Sequence, residues 1–261
     1  YEKFTVNLYE SGKITFGGSG NIMSEVEWFV KSKLGGKPVG AAQEIGLEGR
    51  TRVGSDEAGK GDFFGPLVAA GVLVTQETEP LLLKAGVRDS KLVRSEQGIR
   101  RLSKAIRDIV KKDGYDIVMI GPARYNELYE KLGNMNSILG WAHARVIENL
   151  LKRHGECSLA VADQFGDEEH IRKALMAKGK EITLIQIPKG ERDLAVAAAS
   201  ILARDRFLYA LNRLHEEFDI ELPRGSGKET REAGEHFTKR YGKDALKNVA
   251  KLHFSIHDRI L

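Results

Sequence analysis

The stretch Gly54-Ser55-Asp56-Glu57-Ala58-Gly59-Lys60-Gly61-Asp62-Phe63-Phe64-Gly65-Pro66 decides how this chain is read. The segment 51–57 has the pattern of a strand that ends in two carboxylates, and a glycine-rich loop follows it. Four glycines in thirteen residues allow positive φ and let a ligand approach the main chain closely. Two adjacent carboxylates repel each other unless a cation lies between them. Hard oxygen donors of this kind suit Mg²⁺ or Mn²⁺. In a regular strand, residues 56 and 57 point to opposite faces, so both serve one site only if the strand bends, which Ala58-Gly59 permits.

Residues 54–60 also match the opening of a phosphate-binding loop, G-x-x-x-x-G-K. The next position requires Ser or Thr and holds Gly61. Asp56 and Glu57 would stand where backbone amides should cradle phosphate, and Phe63-Phe64-Gly65-Pro66 does not open a helix. A P-loop NTPase is therefore the lesser alternative.

Working outward, the segment Leu159-Ala160-Val161-Ala162-Asp163 is a second apolar strand ending in an acid, followed by Gln164-Phe165-Gly166. Ligand sites of α/β sheets form at the carboxyl ends of strands, so we read Asp163 as a site residue; Asp167 stands nearer the next helix and is the better cap. A third strand, Ile182-Thr183-Leu184-Ile185-Gln186-Ile187, leads through Pro188-Lys189-Gly190-Glu191-Arg192-Asp193 into an alanine-rich helix. Glu191 or Asp193 can supply a fourth carboxylate. Asp193 is also a natural N-cap for that helix, which leaves Glu191 freer.

Periodicity predicts strands at 51–57, 66–75, 116–120, 158–163 and 182–187. It predicts helices at 96–112, 124–132, 136–153, 167–178, 194–218 and 229–240. The order implies an α/β domain over 50–261, a mixed sheet flanked by helices. Residues 1–34 read as a separate unit. Phe4, Val6 and Leu8, then Ile14 and Phe16, alternate around a Glu10-Ser11-Gly12 turn, and Asn21 to Leu34 follows as a helix. Residues 35–49 read as a linker. A hairpin and one helix are little to fold alone, and a chain opening on Tyr1 points to an upstream part.

The 261 residues are 41% hydrophobic and 30% charged, enough to bury a core, and the net charge of +4 permits a nucleic-acid partner without requiring one. No apolar run reaches the roughly 18–20 residues of a membrane span. The single cysteine, Cys157, excludes an internal disulfide framework and a cysteine-based zinc cluster, and fits a reducing, cytoplasmic setting.

Taken together these motifs resemble the prokaryotic type 2 ribonucleases H, in their HIII branch. Asp56-Glu57-Ala58-Gly59-Lys60-Gly61 is similar to the family's Asp-Glu-Ala-Gly-(Arg/Lys)-Gly signature, with Lys60 pointing to HIII. Asp89-Ser90-Lys91, the segment Asn134-Met135-Asn136 to Ala144, and Ala195 to Arg204 match further family segments. The resemblance implies a ribonuclease H-like fold and a small N-terminal α+β domain, similar to the TATA-binding protein and shorter here than in the family. It implies cleavage of the RNA strand of RNA/DNA hybrids by a two-metal-ion mechanism, giving 5′-phosphate and 3′-hydroxyl ends. Two Mg²⁺ or Mn²⁺ ions would be held by Asp56, Glu57, Asp163 and Glu191, with Asp193 in reserve.

Gly59, Lys60 and Gly61 would approach the 2′-hydroxyl and a phosphate, while Ser90, Lys91, Asn136 and Ser200 would contact the nucleic acid elsewhere. Tyr9 and Lys13 of the hairpin, beside Ser11 and Phe16, would extend that contact. The expected partner is the hybrid duplex, with no membrane association, and the expected state is a monomer. A noncatalytic nucleic-acid-binding module is the main alternative; a binder of polyanions, however, would not place four acids in its cleft. His143 reads as a packed or surface residue, His253 and His257 fall in a stretch too irregular to assign, and Lys239, Arg240 and Lys243 as a phosphate contact or a solvated face.

Overall fold

The structure, a computed structural model, describes the backbone of residues 5–8 and 14–17 and describes residues 46–87, 93, 95–176 and 179–260 in full. The chain divides into two compact units, Tyr1–Glu48 and Gly49–Leu261. In the first unit, β1 (Thr5–Leu8) and β2 (Ile14–Gly17) pair antiparallel, with Val6 opposite Phe16, as the alternation predicts. The helix expected over 21–34, and Tyr9 and Lys13, lie outside the described residues.

The second unit is built on a five-stranded sheet in the order β5-β4-β3-β6-β7. Its strands are β3 (Arg52–Ala58), β4 (Leu67–Val74), β5 (Tyr115–Ile120), β6 (Leu159–Asp163) and β7 (Thr183–Ile187). β3 to β4 and β4 to β5 run antiparallel, whereas β3, β6 and β7 run parallel. The sheet is therefore mixed, as expected. Between and after the strands lie α1 (Thr78–Lys84), α2 (Glu96–Val110), α3 (Pro122–Leu132), α4 (Met135–Arg153), α5 (Glu169–Ala174), α6 (Leu194–Phe218) and α7 (Lys228–Tyr241).

β4 is buried on both faces, and its side chains alternate between two cores. Val68, Ala70, Val72 and Val74 pack with α2 and α6. Leu67, Ala69 and Leu73 pack with α4. The alanines of α6 let that helix approach β3 until side chains no longer fit. A Cβ added to Gly54 would lie 2.1 Å from the Ala195 carbonyl carbon, so only glycine serves there.

Asp193 caps α6: its Oδ1 accepts from the Ala195 and Val196 amides at 2.9 and 3.1 Å, and its Oδ2 accepts from Arg52 Nε at 2.6 Å. Arg52 also reaches Glu79 Oε1 at 2.9 Å, so a buried ionic cluster joins β3, α1 and the start of α6.

Two elements depart from the periodicity. The helix expected over 167–178 ends at Ala174, because Leu175 is extended and Glu148 Oε1 accepts from the Met176 and Gly179 amides at 2.7 Å each. The short helix α1 carried no helical pattern: Leu81 and Leu83 both face solvent, and its start is set by a bond from the Thr75 amide to Thr78 Oγ1 at 2.9 Å. Among the described residues no helix is long and apolar enough to cross a membrane.

Candidate active site

Three parallel strands end along one edge of the sheet, and each delivers an acid there. β3 ends in Asp56 and Glu57, β6 ends in Asp163, and β7 leads into a short turn, Gly190–Arg192, that carries Glu191. The last registered pair of β3 and β6 is Ser55 with Ala162, which puts Asp56 and Asp163 one step further along adjacent strands. Hydrophobic patterning fixes this register, because a slip by one residue would turn every buried side chain outward.

Asp56 and Glu57 do leave the strand on opposite faces. Asp56 is buried on the α6 side, where the Ser200 hydroxyl donates to it. Its Oδ1 also accepts from the Glu57 amide at 2.7 Å. Glu57 turns toward α4, where its Oε2 lies 3.1 Å from His143 Nε2 and its Oε1 lies 3.6 Å from Lys60 Nζ. His143 is fully buried, stacks on Phe165 with ring centres 4.8 Å apart, and places Nδ1 3.0 Å from Ser55 Oγ. The strand stays paired with β4 through Ala58, so the bend, at Gly59 with φ +88°, follows both acids and does not turn them to one face. A Cβ there would lie 2.2 Å from the Pro66 carbonyl oxygen.

Asp163 is held from the other side. Its Oδ1 accepts from the Gly190 amide at 2.6 Å, and a side chain at 190 would collide with it. Gly190 thus lets the turn carrying Glu191 close over Asp163, near enough for the Glu191 charge to act on that carboxyl. Asp193, the alternative fourth acid, is committed to the α6 cap and to Arg52.

The electrostatics follow from this crowding. Burial first, then the Glu57 charge, raise the Asp56 carboxyl well above the usual aspartate range, against the Ser200 bond. Burial and the charges of Glu57 and Glu191 raise Asp163, against the Gly190 amide. Glu57 moves the other way. Burial pushes it up, but His143 and Lys60 together outweigh burial and hold it below the ordinary glutamate value.

Among the described residues, no three carboxylate, histidine or cysteine groups already stand together as a metal cage. The donor set nonetheless fits a hard divalent cation. It offers carboxylate oxygens, and the two raised carboxyls mark a like-charge repulsion that a cation relieves.

The remaining expected contacts distribute as follows. Lys60 is about one-third exposed and also lies 5.6 Å from the centre of the Phe165 ring; Gly61 is exposed with open space around its α-carbon. Asn136 opens α4, its amide capped by Asn134 Oδ1 at 2.7 Å, and its side chain borders Gly166 just beyond Asp163. Ser200 is half-buried and bonds Asp56. Ser90 and Lys91 lie outside the described residues. Residues 54–58 of the apparent phosphate loop form strand, so no amide cradle exists there.

Two residues emerge that sequence reasoning did not assign. His143 is packed, as read, but it also grips Glu57. Lys251 is fully buried, and its Nζ donates to the Gly65 carbonyl at 2.6 Å, which fastens the end of the glycine loop. The one sequence signal for either was an ionisable residue among apolar neighbours.

The family model for ribonuclease HII matches residues 53–257. A ribonuclease HIII of Chlamydia pneumoniae is 40% identical over 98% of this chain and 84% of its own length. One of Protochlamydia amoebophila is 38% identical over 98% of this chain and 83% of its own length. The crystal structure of Bst-RNase HIII in complex with Mn²⁺ superposes with a TM-score of 0.77 at 26% identity, covering 98% of this chain and 84% of that one. With the acids of Asp56, Glu57 and Asp163 gathered at one sheet edge, the chain belongs to the ribonuclease HII family, in its HIII branch.

Proposed function

We propose that this protein is a metal-dependent endoribonuclease that hydrolyses the RNA strand of RNA/DNA hybrids, leaving 5′-phosphate and 3′-hydroxyl ends. The observation that carries the reading is the convergence of Asp56 and Asp163 at the ends of adjacent parallel strands, with both carboxyls raised by burial and by the charges of neighbouring acids. Membership of the family and the Mn²⁺ complex of a similar protein support it.

Asp56, Glu57, Asp163 and Glu191 would hold two Mg²⁺ or Mn²⁺ ions, which lower the pKa of water and neutralise charge on the phosphate and the leaving oxygen when bound. Asp56, on the central strand with the charges of both Glu57 and Asp163 acting on it, is our choice for the shared ligand. His143 keeps the Glu57 carboxylate ionised and aimed, and the Gly190 amide aims Asp163 and partly offsets the rise of its carboxyl. The loop Gly59-Lys60-Gly61 brings backbone close to the ribose, whose 2′-hydroxyl separates RNA from DNA. Lys60 then answers a phosphate. Ser90, Lys91 and Asn136 are proposed to hold the duplex, and Tyr9 and Lys13 of the N-terminal unit to add affinity. Ser200 is assigned here to orienting Asp56. We place the enzyme in the cytoplasm as a monomer.

The test is a labelled hybrid incubated with Mg²⁺ or Mn²⁺. Cleavage within the RNA strand that disappears in Asp163→Asn, with hybrid binding retained, supports the reading. Full cleavage by Asp163→Asn would remove that residue from the site, and inert wild-type protein under both cations would overturn the activity.

A further inference from the structure

A cleft of about 420 Å³ opens on the flank of the glycine turn, bounded by Glu57, Gly59, Arg204, Phe207, Leu208 and Arg224. Asp163 and Glu191 do not line it. It therefore adjoins the acids at Glu57 rather than repeating their site.

Arg204 projects from α6 and is half-buried, and Arg224 stands exposed in the loop before α7. Several arginines here have a carboxylate: Arg52 has Asp193 and Glu79, Arg107 has Asp205, and Arg153 has Asp116. Among the described residues, neither Arg204 nor Arg224 forms an ion pair. Arg204 makes one hydrogen bond, from Nη2 to the Val93 carbonyl at 3.3 Å. Two guanidinium groups that face one cleft repel each other as the acids do. Burial and the Arg224 charge both act to discharge Arg204, and the Asp56 charge opposes them.

The arrangement is built rather than incidental. Asp62 Oδ1 accepts from the Gly225 amide at 2.7 Å, and the Phe63 amide donates to the Gly225 carbonyl at 2.9 Å. Gly225 sits at φ +82°, a conformation that suits glycine. These bonds pin the Arg224 loop to the glycine turn, so that the position of Arg224 is set relative to Glu57. Phe207 and Leu208 give the cleft an apolar wall.

A tetrahedral anion with several acceptor oxygens satisfies two planar donor forks at once. The nearby acids act on a phosphodiester in the reading above, on which this inference rests. We propose that Arg204 and Arg224 form a seat for a backbone phosphate of the duplex other than the one cleaved. Glu57 and Asp62 also line the cleft, so a phosphate would settle on the side held by the two arginines. The seat thus fixes which linkage of the strand reaches Asp56 and Asp163, and so sets register as well as affinity.

The experiment uses the full chain and hybrids that carry one neutral methylphosphonate at successive positions. Binding is read by fluorescence anisotropy in chelator, so no cleavage intervenes. Wild-type protein should show one position, outside the scissile linkage, at which neutralisation weakens binding severalfold. Arg224→Ala, and Arg204→Met with it, should weaken binding of unmodified hybrid severalfold. They should also lower the slope of log affinity against log salt by about 1 and erase the penalty at that position. Arg224→Lys should restore part of the affinity. With Mn²⁺ present, KM should rise more than kcat falls.

Unchanged affinity and slope in both arginine variants, or a penalty that persists in them, would overturn the seat. So would inorganic phosphate that displaces hybrid equally from wild type and the double variant. If wild-type protein shows the position-specific penalty but cleaves nothing, the nuclease reading falls and the phosphate seat stands.

Discussion

Glu57 and His143 are 3.1 Å apart, and the histidine that holds the acid is fully buried. The bond is a long-range one, from β3 to the middle of α4, and Ser55 on the same face of β3 fixes the other ring nitrogen. A carboxylate so placed is ionised and aimed before any cation arrives, and the cost of ordering it is met by folding. Residues that orient metal-ligating carboxylates typically change metal affinity or activity 10–100-fold when lost.

Replacing His143 by Phe keeps the stack on Phe165 but removes both polar contacts. Cleavage should fall by about one to two orders of magnitude. The Mn²⁺ concentration for half-maximal activity should rise in step, with the fold retained by circular dichroism. Wild-type cation dependence in His143→Phe would mean that the contact is only packing.

How far the site was legible in the sequence depends on how local its causes are. Asp56, Glu57 and Asp163 end apolar strands, so the period-2 pattern and the glycines after them marked their places. The order of strands and helices implied a mixed sheet, but the parallel register that sets Asp56 beside Asp163 appears only in the fold. His143, Lys251 and Arg224 were not legible as site residues, because each acts on a partner far along the chain. Asp193 read as a cap, and it is one, but its bond to Arg52 joins residues 141 positions apart, and nothing in either segment announces it. The early end of α5 has the same origin, since Glu148 of α4 takes the amides that would have continued the helix.

Asp56 costs the folded chain stability. Burial and the Glu57 and Asp163 charges disfavour its ionised form. The sign follows: a carboxyl raised in the folded state keeps its proton to higher pH than in the unfolded chain, so its contribution worsens as pH rises through that interval. Asp56→Asn should abolish cleavage yet raise the melting temperature of chelated protein at pH 7, by about 2–4 °C for each kcal/mol relieved. The gain should shrink as pH falls toward 4. Adding Mn²⁺ should raise the melting temperature of wild type more than that of Asp56→Asn. A variant that melts lower than wild type at every pH would contradict the repulsion.

The two acids of the 191–193 turn should separate cleanly. Glu191→Gln should lose cleavage with little change in stability. Asp193→Ala removes a cap, about 1 kcal/mol, and also strands the buried Arg52, so the total loss should approach about 3–5 kcal/mol. Urea unfolding and a hybrid cleavage assay on both variants decide the matter. A stable, inactive Asp193→Ala would move the fourth acid to that position.

Gly54→Ala tests the close approach of α6 to β3. The added Cβ would meet main-chain atoms of Ala195 and Val196 at 2.1–2.5 Å, which no rotamer change relieves. The helix must shift, at a cost of about 2 kcal/mol or more. Because Ser200 and the Asp193 cap ride on that helix, cleavage should fall beyond what unfolding explains. A Gly54→Ala protein with wild-type melting and activity would show that the contact is looser than described.

Lys251 carries the pH prediction on the other side of the loop. Burial drives its ammonium down to about 7, with only a partial opposing pull from Asp62. The unfolded chain therefore holds a proton between about pH 7 and 10 that the folded chain has released, so folding stability should rise with pH across that window and level off below it. Lys251→Met keeps the apolar stem, drops the titrating group, and leaves the Gly65 carbonyl without its donor. Urea unfolding at pH 7 and at pH 10 should show wild type gaining on the order of 3 kcal/mol more than the variant over that interval. Other lysines and tyrosines titrate alike in both proteins and cancel in the difference. At pH 7.5 the variant should also bind hybrid more weakly, because the end of the glycine loop at Gly65 is no longer fastened. Equal pH dependence in the two proteins would mean that Lys251 reaches water, and that the loop is held without it.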